Sequence, residues 1–269
     1  MQNRKYYFII VNFNNSEISQ ACINSIFENR GEINVIVVDN ASVEEEKYKL
    51  IKWLENFEYS DRCTLLLSEK NLGYFGGLNY GLQYIDSFQN SFVVIGNNDL
   101  VYNADFTFEL SKIKASSSLL LIAPNIYKRD GTHQNPYMQN RPSLFRRLSY
   151  RLFYSNYYIA FLLLFIVAKT KKRKKYTQID DSTEIYCAHG SCLVLTEYFF
   201  TYSHQLENFC FLYGEEVTLA HQIRSYNGLI AYFPQLKVLH NEHSSIGKMC
   251  TKNRFRLLQQ AYKKTKKFI

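Results

Sequence analysis

Four apolar runs of strand length, each followed by a helix-like segment, occupy the first hundred residues: "YYFIIVNF" (6–13), "NVIVVDN" (34–40), "CTLLLSE" (63–69) and "SFVVIGN" (91–97). None of them alternates apolar with polar residues. Both faces of each strand must therefore be covered, as in a parallel sheet lying between helices. Between the runs, "SEISQACINSIF" (16–27) sets Ile18, Cys22 and Ile26 at helical spacing with Ser16 as the expected N-cap. Residues 43–57 and 77–86 read as further helices. Sheets of this kind bind ligands beyond the carboxyl ends of their strands. Here those ends carry Asn12-Phe13-Asn14, Asp39-Asn40, Ser68 to Asn71, and Asn97-Asn98-Asp99. Polar residues brought to one edge by successive strands predict a site there.

At 269 residues the chain is long enough for one large domain with a substantial core. A net charge of +8 favours a polyanionic partner, whether nucleic acid, anionic membrane or phosphorylated substrate, and does not choose among them. The six cysteines (Cys22, Cys63, Cys187, Cys192, Cys210 and Cys250) form no CxxC pair, which argues against a disulfide frame or a zinc site. No secretory leader pattern precedes the first strand, so an intracellular location is expected.

The character of the chain changes near residue 141. An aromatic and apolar stretch ends in "KTKKRKK" (169–175), six basic residues in seven. Its fully apolar core, Tyr157 to Ala168, is twelve residues long, short for a membrane span. A buried helix trailed by a solvated charge run would satisfy the pattern. An interfacial segment with its cations against anionic headgroups fits better, because the two features adjoin. Beyond it, 184–200 reads as strand, turn and helix, and 211–228 as loop, helix and a Gly228 cap. "LIAYFP" and "LKVLHNEH" read as two short strands, and 252–267 as a basic helix.

Several groups in this frame could carry chemistry. Asp99, after two short polar residues at a strand tip, suits a hard cation such as Mg²⁺ or Mn²⁺, although Asn-Asn-Asp is also ordinary turn chemistry. "NLGYFGGLNYGL" (71–82) gathers Gly73, Gly76, Gly77 and Gly81 about a helix start, where backbone N–H groups can approach a phosphate or sugar. It is neither a P-loop nor a GxGxxG fingerprint. Glu215 and Glu216 open a helix, where they would either complement its dipole or supply a general base. His240 and His243 follow a strand and could complete an oxygen-rich metal site or sit solvated.

Taken in order, these segments resemble the GT-A glycosyltransferases of family 2, especially the bacterial rhamnosyltransferase-like and polysaccharide-assembly branch. "IIVNFNN" resembles the opening strand of that family, "VIVVDNAS" its nucleotide-contacting segment, and "NLGYFGGLNYGL" its glycine turn. "IGNNDLVY" stands where the family has a DXD-like metal motif. "CAHGSCLVLTEYFF" is similar to its acceptor-side strand, "FLYGEEVTLAHQIRSYNG" to its acidic motif and helix, and "LKVLHNEHSS" to its histidine strand. The resemblance implies a GT-A fold, a Rossmann-like, mostly parallel α/β sheet with helices on both faces.

It also assigns roles. Asp39 would bond the donor's base. Asn14, Asn71, Gly73, Gly77, Asn79, Asn97 and Asn98 would line a UDP- or dTDP-linked sugar. Asp99 and His240 would hold the divalent cation against the diphosphate. Glu216 would deprotonate the acceptor hydroxyl and Glu215 would orient or bind the acceptor. Thr218 stands where many members carry another acid, and Asn97 leaves Asp99 the sole carboxylate of its triplet.

The expected organisation is a single domain. It comprises a donor half (1–103), an apolar and basic membrane-interface insertion (about 141–180), an acceptor-side half (about 181–250) and the basic C-terminal helix. The expected function is inverting transfer of a hexose or deoxyhexose to a glycan or lipid-linked glycan in cell-surface polysaccharide assembly. The expected location is the cytoplasmic face of the membrane, in peripheral contact with it and without a nucleic-acid partner. Two rivals stand beside this reading. A sugar nucleotidyltransferase would need a Gly-rich, basic first turn, which "VNFNNSEIS" lacks. A non-catalytic binder of nucleic acid or anionic lipid would rest on charge alone.

Overall fold

The computed structural model of the protein describes residues 4–170, 179–242 and 251–269. His243, Cys250 and Lys171 to Lys175 of the basic run lie outside them. β1 (Lys5–Asn12), β2 (Glu32–Asp39), β3 (Cys63–Leu67) and β4 (Ser91–Asn97) pair in parallel in the order β3-β2-β1-β4. Between them run α1 (Ser16–Phe27), α2 (Glu44–Glu55) and α3 (Tyr74–Leu82). The absence of alternation has its predicted cause. Phe8 and Ile10 of β1 point to one buried face with Cys22 and Ile23 of α1, while Ile9 points to the other with Leu78 of α3.

The second half of the sheet departs from the sequence reading. After β5 (Leu100–Tyr102) and α4 (Phe106–Ser111), the chain enters β6 (Leu119–Lys128), a ten-residue strand that the sequence reading leaves unassigned. α5 (Leu144–Phe153) and α6 (Tyr157–Thr170) follow, then β7 (Thr183–Glu184), β8 (Cys192–Thr196), α7 (Glu215–Ser225), β9 (Leu229–His240) and α8 (Thr251–Thr265). The sheet continues as β4-β8-β6-β9-β5, with β7 paired to β9. β8 runs antiparallel to both β4 and β6, and β5 antiparallel to β9. The result is a mixed, mostly parallel sheet.

Proline explains two of the misreadings. "LIAYFP" and "LKVLHNEH" are one twelve-residue strand, β9, rather than two. Its pairing with β6 skips from Pro124↔Phe233 to Asn125↔Lys237, so Pro124 and Pro234 sit at an irregularity where a missing N–H leaves the ladder intact.

Helix ends differ from expectation as well. α1 begins at Ser16, with Asn15 in the N-cap position, and the Ser16 N–H and hydroxyl both donate to Glu46 of α2 at 2.9 and 2.7 Å. Those bonds, the hydroxyl first, pull the Glu46 carboxyl down to about 2. α3 starts at Tyr74 rather than residue 77 because Gly73, at φ +76°, turns the chain into it. Residues 197–201 form a 3-10 turn in place of the expected helix. At the end of α7, Asn227 takes the left-handed conformation (φ +55°), while a Cβ on Gly228 would lie 2.3 Å from Leu120.

Phe8 is fully buried edge-on to Tyr102, with ring centroids 5.2 Å apart. Phe8→Ala is expected to cost about 3–5 kcal/mol of unfolding free energy, read from urea denaturation with an unchanged m-value.

Candidate active site

The carboxyl ends of β1, β2 and β4 open onto a cleft of about 370 Å³, walled by Phe13, Asn40, Asn71, Tyr74, Asn98 and Asp99 among others. Gly73 and Asn97 also line it, and Phe211, Leu212 and Leu257 of α8 close it from the far side. The glycine at 73 is required by that closure. A Cβ there would come 2.3 Å from the Phe211 carbonyl oxygen, which accepts from the Tyr74 N–H at 3.4 Å. Asn40 ties the turn together: its amide donates to Asn71 Oδ1 and Gly73 O, and its Oδ1 accepts from the Leu72 N–H.

Asp99 and His240 meet although 141 positions separate them, because β5 pairs with β9 in the register Leu100↔His240. Asp99 Oδ1 lies 3.2 Å from His240 Nε2, and both side chains are buried. Gln134 Oε1 lies 2.7 Å from His240 Nδ1. An amide oxygen can only accept, so that nitrogen carries a proton, and in the neutral imidazole Nε2 presents a lone pair. The two Asp99 oxygens and His240 Nε2 are buried and have no hydrogen-bond partner among the described residues. Facing acceptors without a proton between them are costly to bury, and a cation satisfies all of them. The donor set of one carboxylate and one imidazole therefore fits a divalent cation whose remaining ligands come from substrate. No cluster of three His, Cys, Asp or Glu exists among the described residues. Behind this pair, His189 bonds Ser191 Oγ at 2.9 Å. Burial, the leading cause, pushes its imidazole down to about 4.

The acidic pair stands at the start of α7. Burial, with Glu216 adding, raises the Glu215 carboxyl to about 8. Burial also raises Glu216, against backbone bonds at Glu216 and Gly190. Gly190 makes room for this side chain, since a Cβ there would lie 3.2 Å from Glu216 Oε1. The same loop is tied to the cleft, for the Tyr74 hydroxyl donates to Gly190 O at 3.0 Å and the Asn97 N–H to Ser191 O at 2.9 Å. Two buried carboxyls so close titrate as a pair, one holding a proton while the other ionises.

Asn71, Gly73, Asn97, Asn98 and Asp99 lie in the cleft wall, with Asp99 touching His240. Four further residues expected at the donor do not line this cleft, and each has bonds or contacts within the fold. Asp39 is fully buried, its two oxygens accepting from Asn12 Nδ2 at 2.8 Å and the Ser42 N–H at 3.0 Å, so it braces the strand end. Asn14 (φ +55°) accepts from the Val43 N–H and holds the same turn. Gly77 lets α3 approach Val11, where a Cβ would come within 3.0 Å. Asn79 exchanges two bonds with the backbone of Leu206. Phe13, Asn40, Tyr74, Gln134 and Gly190 were missed. Phe13 and Asn40 stood in the strand-end pattern, whereas nothing in "THQNP" marks Gln134.

The mixed α/β sheet thus carries, at its carboxyl edge, a cleft of mostly apolar lining with a buried aspartate–histidine pair beside it and a buried acidic pair at the start of α7. The chain matches glycosyl transferase family 2 over residues 7–193 and belongs to that family. It is 27% identical over 235 residues to the low-salt glycan biosynthesis hexosyltransferase Agl10 of Haloferax volcanii, a match covering 87% of this chain and 66% of that protein. Among solved structures, GalNAc-T7 with UDP, GalNAc and Mn²⁺ superposes with a TM-score of 0.59 at 14% identity, over 96% of this chain and 48% of that one. The mannosyltransferase PcManGT from Pyrobaculum calidifontis, in complex with GDP-Man and Mn²⁺, gives 0.56 at 15%, over 90% and 59%. TarS 1-349 of S. aureus in complex with UDP-GlcNAc gives 0.58 at 11%, over 97% and 66%. These structures share the fold.

Glu215, held protonated in the fold to about pH 8, binds more protons folded than unfolded between its ordinary value and that pH. Stability is therefore expected to fall as pH rises from 5 to 8. Glu215→Gln should flatten that decline and raise the melting temperature at pH 8, as followed by calorimetry across the range.

Proposed function

We propose that this protein is an inverting, metal-dependent glycosyltransferase that moves a hexose or deoxyhexose from a UDP- or dTDP-linked donor to a hydroxyl of a glycan or lipid-linked glycan. The reading places it in cell-surface polysaccharide assembly, in peripheral contact with the cytoplasmic face of the membrane. The observation that carries it is the buried Asp99–His240 pair, with Asp99 in the wall of the strand-end cleft. Structural relatives solved with UDP, with nucleotide-sugars and with Mn²⁺ support the same reading.

Asn71, Asn98 and the backbone turn at Gly73 position the donor, and Phe13 offers a ring at the mouth of the cleft for the base. Asp99 and His240 would hold a divalent cation, which when bound supplies positive charge against the diphosphate. Glu216 accepts the proton of the acceptor hydroxyl as its oxygen bonds the anomeric carbon. The bond from that carbon to the diphosphate oxygen breaks, and the nucleoside diphosphate leaves with the electron pair. Attack opposite the leaving group inverts the anomeric centre. Glu215, whose carboxyl burial raises to about 8, orients the acceptor beside the base Glu216. Gln134 holds the His240 ring by its Nδ1–H and acts as a positioning residue.

The test is turnover of a panel of UDP-, dTDP- and GDP-sugars with Mn²⁺, Mg²⁺ or EDTA, following nucleoside diphosphate release. EDTA-sensitive release from one donor, abolished in Asp99→Ala, is the expected outcome. Glu216→Gln should lower kcat by about 100-fold or more while leaving donor affinity by calorimetry within a factor of about three. No binding and no release with any donor would sink the transferase reading.

A further inference from the structure

Two stretches far apart in the chain, 141–170 and 251–269, contain no Asp or Glu, and they carry five and seven Lys or Arg respectively. The fold packs them against each other. Tyr154 stacks on Tyr262 at 4.5 Å, Phe255 meets Phe153 and Tyr157 at 6.3 and 5.6 Å, and Gln259 Nε2 donates to Tyr154 O at 2.7 Å. One face with no acidic residue results, and it is apolar as well as basic. Phe145 is 84% exposed, with Leu144 and Leu148 beside it, and α6 turns out Tyr158, Phe161 and Leu162. Contiguous exposed side chains of this size mark an interaction surface.

Within that face lies a groove of about 450 Å³, to which α5 contributes Arg147 and Arg151 and the 3-10 turn after α8 contributes Lys266 and Lys267. Leu148 and Tyr262 form part of its apolar wall. None of the four cations is in an ion pair among the described residues. Cations around an apolar slot, bordered by projecting Leu and Phe, match a phosphate joined to acyl chains. A protein partner would have to supply both acids and an apolar patch in register. A bilayer supplies both by construction.

We propose that α5, α6 and α8 form one docking surface for an anionic lipid bilayer, with the groove between Arg147, Arg151, Lys266 and Lys267 holding a lipid phosphate. This deepens the peripheral-membrane part of the functional reading and rests on it. No helix among the described residues is long and apolar enough to cross a membrane. α6, with fourteen residues, spans about 21 Å against a hydrocarbon core of about 30 Å, so it lies in the interface. The surface also adjoins the chemistry. α8 reaches the donor cleft through Leu257. A lipid-borne acceptor entering from this face would arrive beside that cleft.

The experiment is co-sedimentation of the full chain with phosphatidylcholine vesicles, with and without phosphatidylglycerol, and in the presence of inorganic phosphate. The wild type is expected to sediment with the anionic vesicles at least about tenfold more strongly, with no competition from inorganic phosphate. A charge near an anionic surface contributes about fivefold, so R147Q/R151Q/K266Q/K267Q should lose on the order of a hundredfold or more. F145S/L148S keeps the charges and should lose about tenfold or more through the apolar contact. Thermal melts matching the wild type establish that both variants fold. An unchanged groove variant, equal retention on phosphatidylcholine alone, or full competition by inorganic phosphate overturns the lipid-phosphate groove while peripheral contact stands. Sedimentation with neither vesicle overturns both. Nucleotide release from a donor is independent of these outcomes and tests the transferase reading separately.

Discussion

Three backbone pairs between β5 and β9 bring Leu100 opposite His240 and so set the Asp99 carboxylate against an imidazole lone pair. The arrangement at the cleft follows from that register. A slip of one residue would turn His240 to the other face of the sheet, because side chains alternate along a strand. The pairing with β6 steadies β9 along most of its length, and Gln134 fixes which nitrogen of the ring faces the aspartate. Buried acceptors set against each other are unfavourable in isolation, and a rigid ladder keeps them in place. A carboxylate and an imidazole held together in this way are a donor set that suits a divalent cation.

The same logic governs the acidic pair. Glu215 and Glu216 sit at the start of α7, where the helix dipole favours negative charge, yet burial outweighs the dipole and raises both. Gly190 leaves the space that Glu216 occupies, and Gly73 lets the chain at Phe211 close over the cleft. Close approach is why these two positions are glycine. The loop that carries Phe211 runs straight into Glu215, so the cleft and the acidic pair share one short piece of chain.

The helical face formed by α5, α6 and α8 draws on another property of the chain. Its residues come from two acid-free stretches that meet only in the folded state, through Phe255, Tyr262 and Gln259. Read along the chain, 141–175 alone looked interfacial, and 252–267 was simply a basic helix. Their union puts cations from both around a single groove.

The sequence by itself determined the parallel half of the sheet, the edge where a ligand would bind, and the residue types gathered there, because both-face burial and polar strand ends are local patterns. Asn71, Gly73, Asn97, Asn98 and Asp99 were legible for that reason. Tertiary structure decided the rest. β6 and the length of β9 were hidden because Pro124 and Pro234 argue against strands until a shared irregularity accommodates them. Asp39, Asn14 and Asn79 read as donor contacts because an Asn or Asp at a strand end or turn offers the same atoms to a ligand or to its own backbone. Only the folded positions of Asn12, Ser42, Val43 and Leu206 reveal the bonds that these side chains make within the fold. Gln134 and Gly190 were invisible for the opposite reason. Their roles are to orient one distant side chain and to make room for another, and neither leaves a pattern along the chain.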